Sequence, residues 1–175
     1  PYGESLIKEI KPADGYLDNE DVFTVTIKDN EQVVELTAIN DKVPELKTTA
    51  TVNGKKEVIA KGEITIKDTV EYKHLVPNTE YVIKGTLMDK FTGKPFKVKG
   101  KEITSTVKFV PDRTDGKVEV TFTFDGSAIK KDTELVVFET LYRDGVELTT
   151  HADINDDGQT VTIKPYIPHN PKTGD

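Results

Sequence analysis

Cysteine is absent from this 175-residue chain, which excludes disulfides, thiolate metal sites and a cysteine nucleophile. Only three histidines occur, His74, His151 and His169, and they are scattered. A multi-histidine zinc site is therefore not expected, and neither is any other metal or cofactor. Tryptophan is also absent and aromatics make up 7%, which argues mildly against a binding face built on aromatic anchors. Positive charge is outnumbered, 24 Lys and Arg against 31 Asp and Glu, for a net charge of −7. Such a chain gains nothing from counterion release on a phosphate backbone, so neither nucleic acid nor an anionic membrane is an expected partner. No apolar run approaches the length of a membrane span. There is no secretion signal, and the chain opens in mid-pattern at Pro1-Tyr2-Gly3, as an internal fragment of a longer protein would.

What is present is β pattern throughout. Phe23 to Ile27, Val34 to Ile39, Val118 to Phe124 and Gln159 to Ile163 alternate apolar and polar residues, rich in Val, Ile, Thr and Phe. That period of two predicts half-buried strands. Asn53-Gly54, Thr92-Gly93, Asp115-Gly116, Asp125-Gly126, Asp144-Gly145 and Asp157-Gly158 supply turn signals between them. The expected fold is all-β, an antiparallel sandwich, with at most one helical turn over residues 127–131. Asp41 to Pro44 reads as a linker. From Lys164 the chain becomes KPYIPHNPKTGD, whose prolines cannot sit in a central strand. Three segments follow: 1–43, 44–166 and a tail at 167–175. A unit of 43 residues is too short for a self-sufficient core, so the first segment is expected to be part of a domain.

Several polar residues fall inside strand patterns of the middle segment. Thr48-Thr49 lies in its first strand, and alternation puts only one of the two hydroxyls on the inner face. Asp68 interrupts a β run, where it could equally cap a turn. Glu139 shares a strand face with Leu135, Val137 and Leu141. If that face is inward, Glu139 is a buried carboxyl that needs a partner or a raised pKa. If Val136, Phe138 and Thr140 face inward instead, Glu139 is solvated, and the pattern alone leaves both open. The segment closes with His151-Ala152-Asp153-Ile154-Asn155-Asp156-Asp157-Gly158-Gln159.

In this order, the Thr-Thr pair, Asp68-Thr69-Val70-Glu71-Tyr72, Gly85-Thr86-Leu87-Met88-Asp89 with Thr92-Gly93, Val137-Phe138-Glu139 and the closing His-to-Gln stretch resemble one family. It is the Thr–Gln ester-bond domain, an immunoglobulin-like module of Gram-positive surface adhesins, and the resemblance covers about 45–164. It implies an autocatalytic ester between Thr48 Oγ and Gln159 Cδ, with loss of ammonia. It also implies Asp68 and Glu139 as a proton-sharing acid pair, and His151 supported by Asp156 as proton carrier. This is a single intramolecular turnover, not an enzyme acting on substrates. A glycosidase-like use of Asp68 and Glu139 is the enzymatic rival, expected only with an open cleft.

Residues 6–16, with Leu6, Glu9, Pro12, Gly15 and Tyr16, resemble the signature of the collagen-adhesin B-type (prealbumin-like) domain. That family's closing strand ends on Asn, here in Thr37-Ala38-Ile39-Asn40. The resemblance implies a partial second β-sandwich over residues 1–43. Glu9 and Asn40 would be the remnant of a Lys–Asn isopeptide site whose donor strand the chain lacks. Asn170-Pro171-Lys172-Thr173-Gly174 resembles a sortase motif, cut between Thr and Gly. Together these resemblances imply a monomeric stalk fragment of a cell-wall-anchored adhesin or pilus subunit. Its partners would be sortase, peptidoglycan and neighbouring stalk domains. The rival is a binding module for a host glycan or matrix protein.

Overall fold

The computed structural model describes residues 2–168. The chain divides into two compact units, 1–43 and 44–175.

In the first unit, β1 (Gly3–Lys8) and β2 (Val22–Ile27) form an antiparallel pair with Leu6 opposite Thr24. Val25 is the one buried apolar side chain among its described residues, so this unit has almost no core of its own. The strand expected over Val34 to Ile39 does not form. Val33, Val34, Leu36 and Ile39 are all exposed there, and alternation makes a strand only where a neighbour takes up its main-chain bonds. The expected linker is likewise tied in: Leu17 N donates to Asp41 O, and Val43 N donates to Gly15 O.

The second unit is a two-sheet sandwich. Its strands are β3 (Glu45–Val52), β4 (Glu57–Ala60), β5 (Glu63–Lys73) and β6 (Tyr81–Asp89). Three two-residue strands follow, β7 (Lys94–Pro95), β8 (Lys97–Val98) and β9 (Lys101–Glu102). Then come β10 (Thr104–Phe109), β11 (Gly116–Asp125), β12 (Thr133–Arg143), β13 (Val146–His151) and β14 (Thr160–Pro165). One sheet has the order β11-β5-β3. The other runs β10-β6-β12-β14-β4, with β13 added to β12 and β7 to β6. This is the sandwich that the alternation predicts, of the immunoglobulin-like kind that the family resemblance implies, with one departure from antiparallel pairing: β14 and β4 pair in parallel.

The alternating residues Ile64, Ile66, Val70 and Tyr72 of β5 pack with Ile83 and Leu87 of β6, Phe122 of β11, and Leu135, Val137 and Leu141 of β12 in one core. Among the described residues there is no α-helix, only 3₁₀ turns at Gly126–Ala128 and Asp157–Gln159. No helix is therefore long and apolar enough to cross a membrane. Asn53-Gly54 and Asp144-Gly145 both take positive φ at each residue, the geometry of two-residue hairpin turns that match strand twist. The first of these turns folds the chain back so that Lys55 bridges Val52.

Candidate functional site

Among the described residues of the second unit five polar side chains are buried, and four of them are Thr48, Asp68, Glu139 and Gln159. Alternation accounts for the first three. On β3 the inward series is Thr48, Ala50 and Val52, and Thr49 faces solvent. On β5 it is Ile64, Ile66, Asp68, Val70 and Tyr72. On β12 Leu135, Val137, Glu139 and Leu141 are all buried, which settles the facing question that the sequence leaves open. Asp68 and Glu139 are 0% and 1% exposed.

Register then places them. Ala50 stands opposite Asp68, so Thr48, two residues away on the same face, lies on the diagonal from that carboxyl. Glu139 projects from the other sheet, opposite Gly85 on β6 and His151 on β13. The two carboxyls interact across the core, and none of their four oxygens has a hydrogen-bond partner, so a proton shared between them is what would satisfy the pair. Burial pushes Glu139 up to about 10, helped by the hydrogen bond and negative charge of Asp68. Burial raises Asp68 as well, while its bond to Glu139 and the charges of His151 and Lys56 pull it back. Both carboxyls are raised by burial, so the pair holds a proton well above the ordinary carboxylate range, and Asp68 and Glu139 pull in opposite senses on where it sits.

Gln159 does not lie in β14 as the alternation over 159–163 predicts. It ends the 3₁₀ turn Asp157–Gln159, one residue before the strand. The turn is built by Asp156, whose Oδ1 accepts from Gly158 N at 2.8 Å while its main-chain oxygen accepts from Gln159 N and Thr160 Oγ1. Its other oxygen, Oδ2, lies 2.8 Å from His151 Nε2. That bond is the main cause of the lowered Asp156 pKa. The turn lies against β3: a Cβ on Gly158 would come within 3.2 Å of the Thr48 carbonyl oxygen. The Gln159 amide donates to Val137 O at 2.6 Å, fixing the carboxamide two residues from Glu139 along β12. Thr48 Oγ1 and Gln159 Oε1 are buried and have no hydrogen-bond partner. Unpaired buried oxygens cost about 1–3 kcal/mol each, and a folded core keeps them only where they serve a purpose.

The arrangement brings a hydroxyl, a carboxamide and two carboxyls together in the buried core, with a partly exposed imidazole held on a carboxylate at its edge. A family described as the T-Q ester bond containing domain matches residues 44–163. The chain belongs to that family. Two solved structures of a bacterial adhesin from Mobiluncus mulieris, containing intramolecular disulfide, isopeptide and ester bond cross-links, also resemble it. They differ in space group and superpose with TM-scores of 0.60 and 0.61 at 20% identity. The match covers 71% of this chain and 58% of the adhesin chain, so this chain spans under two thirds of that protein's length. At this identity the likeness speaks for the fold. No curated protein matches. As a T-Q ester bond domain, the second unit has its threonine candidate on β3 and its glutamine candidate in the turn that leads into β14 of the other sheet.

Two elements of the site carried no clear sequence signal. Lys56, just past the Asn53-Gly54 turn, sends its ammonium to Ala50 O at 2.7 Å and Gly158 O at 3.1 Å. The Val137 carbonyl is a main-chain group that no residue pattern marks. In the first unit, Glu9 and Asn40 do meet. Asn40 Nδ2 donates to both Glu9 oxygens, at 2.9 and 2.8 Å, and Asn40 Oδ1 is buried without a partner. The sortase-like residues Asn170 to Gly174 lie outside the described residues.

Proposed function

We propose that the second unit is a stalk domain of a cell-wall-anchored surface adhesin or pilus subunit, locked by an ester between Thr48 and Gln159. The observation that carries this reading is the burial of Thr48, Asp68, Glu139 and Gln159 around unpaired Thr48 and Gln159 oxygens. A threonine hydroxyl is a weak nucleophile and a primary amide a weak electrophile, so both need activation. The Glu139 proton is available to polarise the Gln159 carbonyl as charge develops on its oxygen. Thr48 Oγ bonds to Gln159 Cδ, and the Cδ–Nε2 bond breaks. The hydroxyl proton passes to the departing nitrogen, which leaves as ammonia. His151, aligned by Asp156, is the carrier for that proton, with ionised Asp68 supporting the positive charge that His151 gains. Holding the reactants together contributes about 7–11 kcal/mol to lowering the barrier.

The product stays in the chain, so the reaction occurs once. This is a structural role and not turnover, and sealed carboxyls suit it better than the open cleft of a glycosidase. The bond would close a loop of roughly 110 residues, adding about 4–5 kcal/mol if chain entropy acts as it does for a disulfide. Force entering at β3 would leave beyond β14 through a covalent link. Within the same reading, residues 1–43 belong to a collagen-adhesin B-type domain with Glu9 and Asn40 as its acid and amide. Asn170 to Gly174 would be the sortase signal joining the protein to peptidoglycan outside the cell. The intact mass tests the cross-link: it should fall about 17 Da below the sequence mass, the loss of one ammonia. Full mass with Thr48 and Gln159 unmodified in a peptide map refutes the reading.

A further inference from the structure

Lys56 bonds to backbone on both sides of the candidate cross-link. Its carbonyl accepts from Thr162 N of β14 at 2.8 Å. Its ammonium donates to Ala50 O on β3, two residues from Thr48, and to Gly158 O, next to Gln159. The Asn53-Gly54 turn makes this reach possible, because it folds the chain directly back along the end of β3. Main-chain carbonyls already serve as ladder acceptors, and an ammonium is the side-chain group that presents several donors to two of them at once. The residue is exposed overall, yet desolvation lowers its pKa, opposed by Asp68, Asp156 and Asp157. A lysine placed only for solubility would turn its ammonium to water.

We infer that Lys56 is a positioning residue for ester formation, clamping the strand that carries Thr48 to the turn that carries Gln159. The inference rests on the cross-link reading above. Near-attack distances are where a small displacement costs most rate, so losing the clamp slows the reaction much more than it weakens the fold. The charge of Lys56 adds to this. Together with His151 it favours ionised Asp68, leaving the pair's proton on Glu139, beside the carboxamide.

The test follows the 17 Da loss by intact mass at timed intervals after cell-free synthesis, for the wild type, Lys56→Met and Lys56→Arg. Lys56→Met should slow cross-linking at least tenfold, and Lys56→Arg, which keeps charge and donors, should recover most of the rate. In parallel, Thr48→Ala and Thr48→Ala/Lys56→Met are melted, so that stability is compared with no cross-link in either. These two should melt within a few degrees of each other. Wild-type kinetics in Lys56→Met overturns the inference. So does slow cross-linking accompanied by a large loss of stability in the double variant, or slow cross-linking that Lys56→Arg does not rescue. If the wild type itself never loses ammonia, the cross-link reading fails first, and the two failures are distinguishable.

Discussion

The Gln159 carboxamide donates to the Val137 carbonyl at the point where β12 changes partners. One edge of β12 pairs with β14 over Thr133 to Val136 and with β13 from Glu139 onward. Val137 falls in the interval, and the glutamine takes the place of a strand there. The contact holds the candidate amide and fills a hole in the ladder, so Gln159 has a structural duty apart from the proposed chemistry. Gln159→Ala should accordingly cost more stability than Thr48→Ala, by about 1–3 kcal/mol for an orphaned carbonyl, although neither forms the bond. Chemical denaturation of the two variants measures the gap, and equal stabilities would show that the contact is dispensable.

The two adjacent threonines differ in facing, and the mass should report it. Thr48→Ala should keep the full sequence mass, whereas Thr49→Ala, a change on the solvent face, should still lose about 17 Da. The opposite pattern would place the nucleophile at Thr49 and require β3 to shift register.

Glu139→Gln keeps shape and a donor but removes the proton that titrates. The variant should fold and cross-link at least tenfold more slowly in a timed mass experiment, the lower range for losing a general acid. A wild-type rate would move the catalysis to His151 and Asp156 alone.

Stability of the uncross-linked Thr48→Ala domain should fall as pH rises. Glu139 moves from an ordinary 4.5 to about 10 on folding. Above 4.5 the unfolded chain has released this proton while the folded domain still holds it. The associated stability is therefore complete below 4.5 and drains away as pH climbs towards 10. The slope is at most about 1.4 kcal/mol per pH unit for one proton. Raised Asp68 acts in the same direction, and lowered Asp156 acts in the opposite sense only in acid. Urea midpoints at pH 5, 7 and 9 should decline, and adding Glu139→Gln should flatten them. A flat parent profile would contradict a protonated Glu139.

Asn40 should remain an intact amide. Its contact with Glu9 arranges acid and amide alone, and the ammonium of Lys8, next to Glu9 in sequence, is engaged with Glu20 at 2.7 Å. One ammonia should be lost from the whole chain, and a second loss mapping to Asn40 in a peptide digest would overturn this.

Alternation carried the sequence reading furthest where strands have partners on both sides. It set Thr48 against Thr49, but it left Asp68 open, because a carboxylate within a β run could equally cap a turn. It could not choose the face of β12, because Val136, Phe138 and Thr140 make an equally plausible inner row. Only packing against the facing β11-β5-β3 sheet decides that. It failed over Val34 to Ile39, where the pattern is present but no described strand supplies the hydrogen bonds. Gln159 was misplaced by one element because Asp156 captures the preceding amides and winds a turn. Lys56 resembles any surface lysine until the hairpin before it is folded, and its targets are backbone atoms, which no residue spelling reveals.

The parallel pairing of β14 with β4 has a further consequence. Thr162 to Pro165 run alongside Glu57 to Ala60 in the same direction, with β12 antiparallel on the other flank. A tug along the axis of β14 must slide it past both neighbours at once, loading all its ladder bonds in shear instead of unzipping them one by one. In the proposed stalk role, the strand would therefore resist brief pulls before any bond between Thr48 and Gln159 had formed.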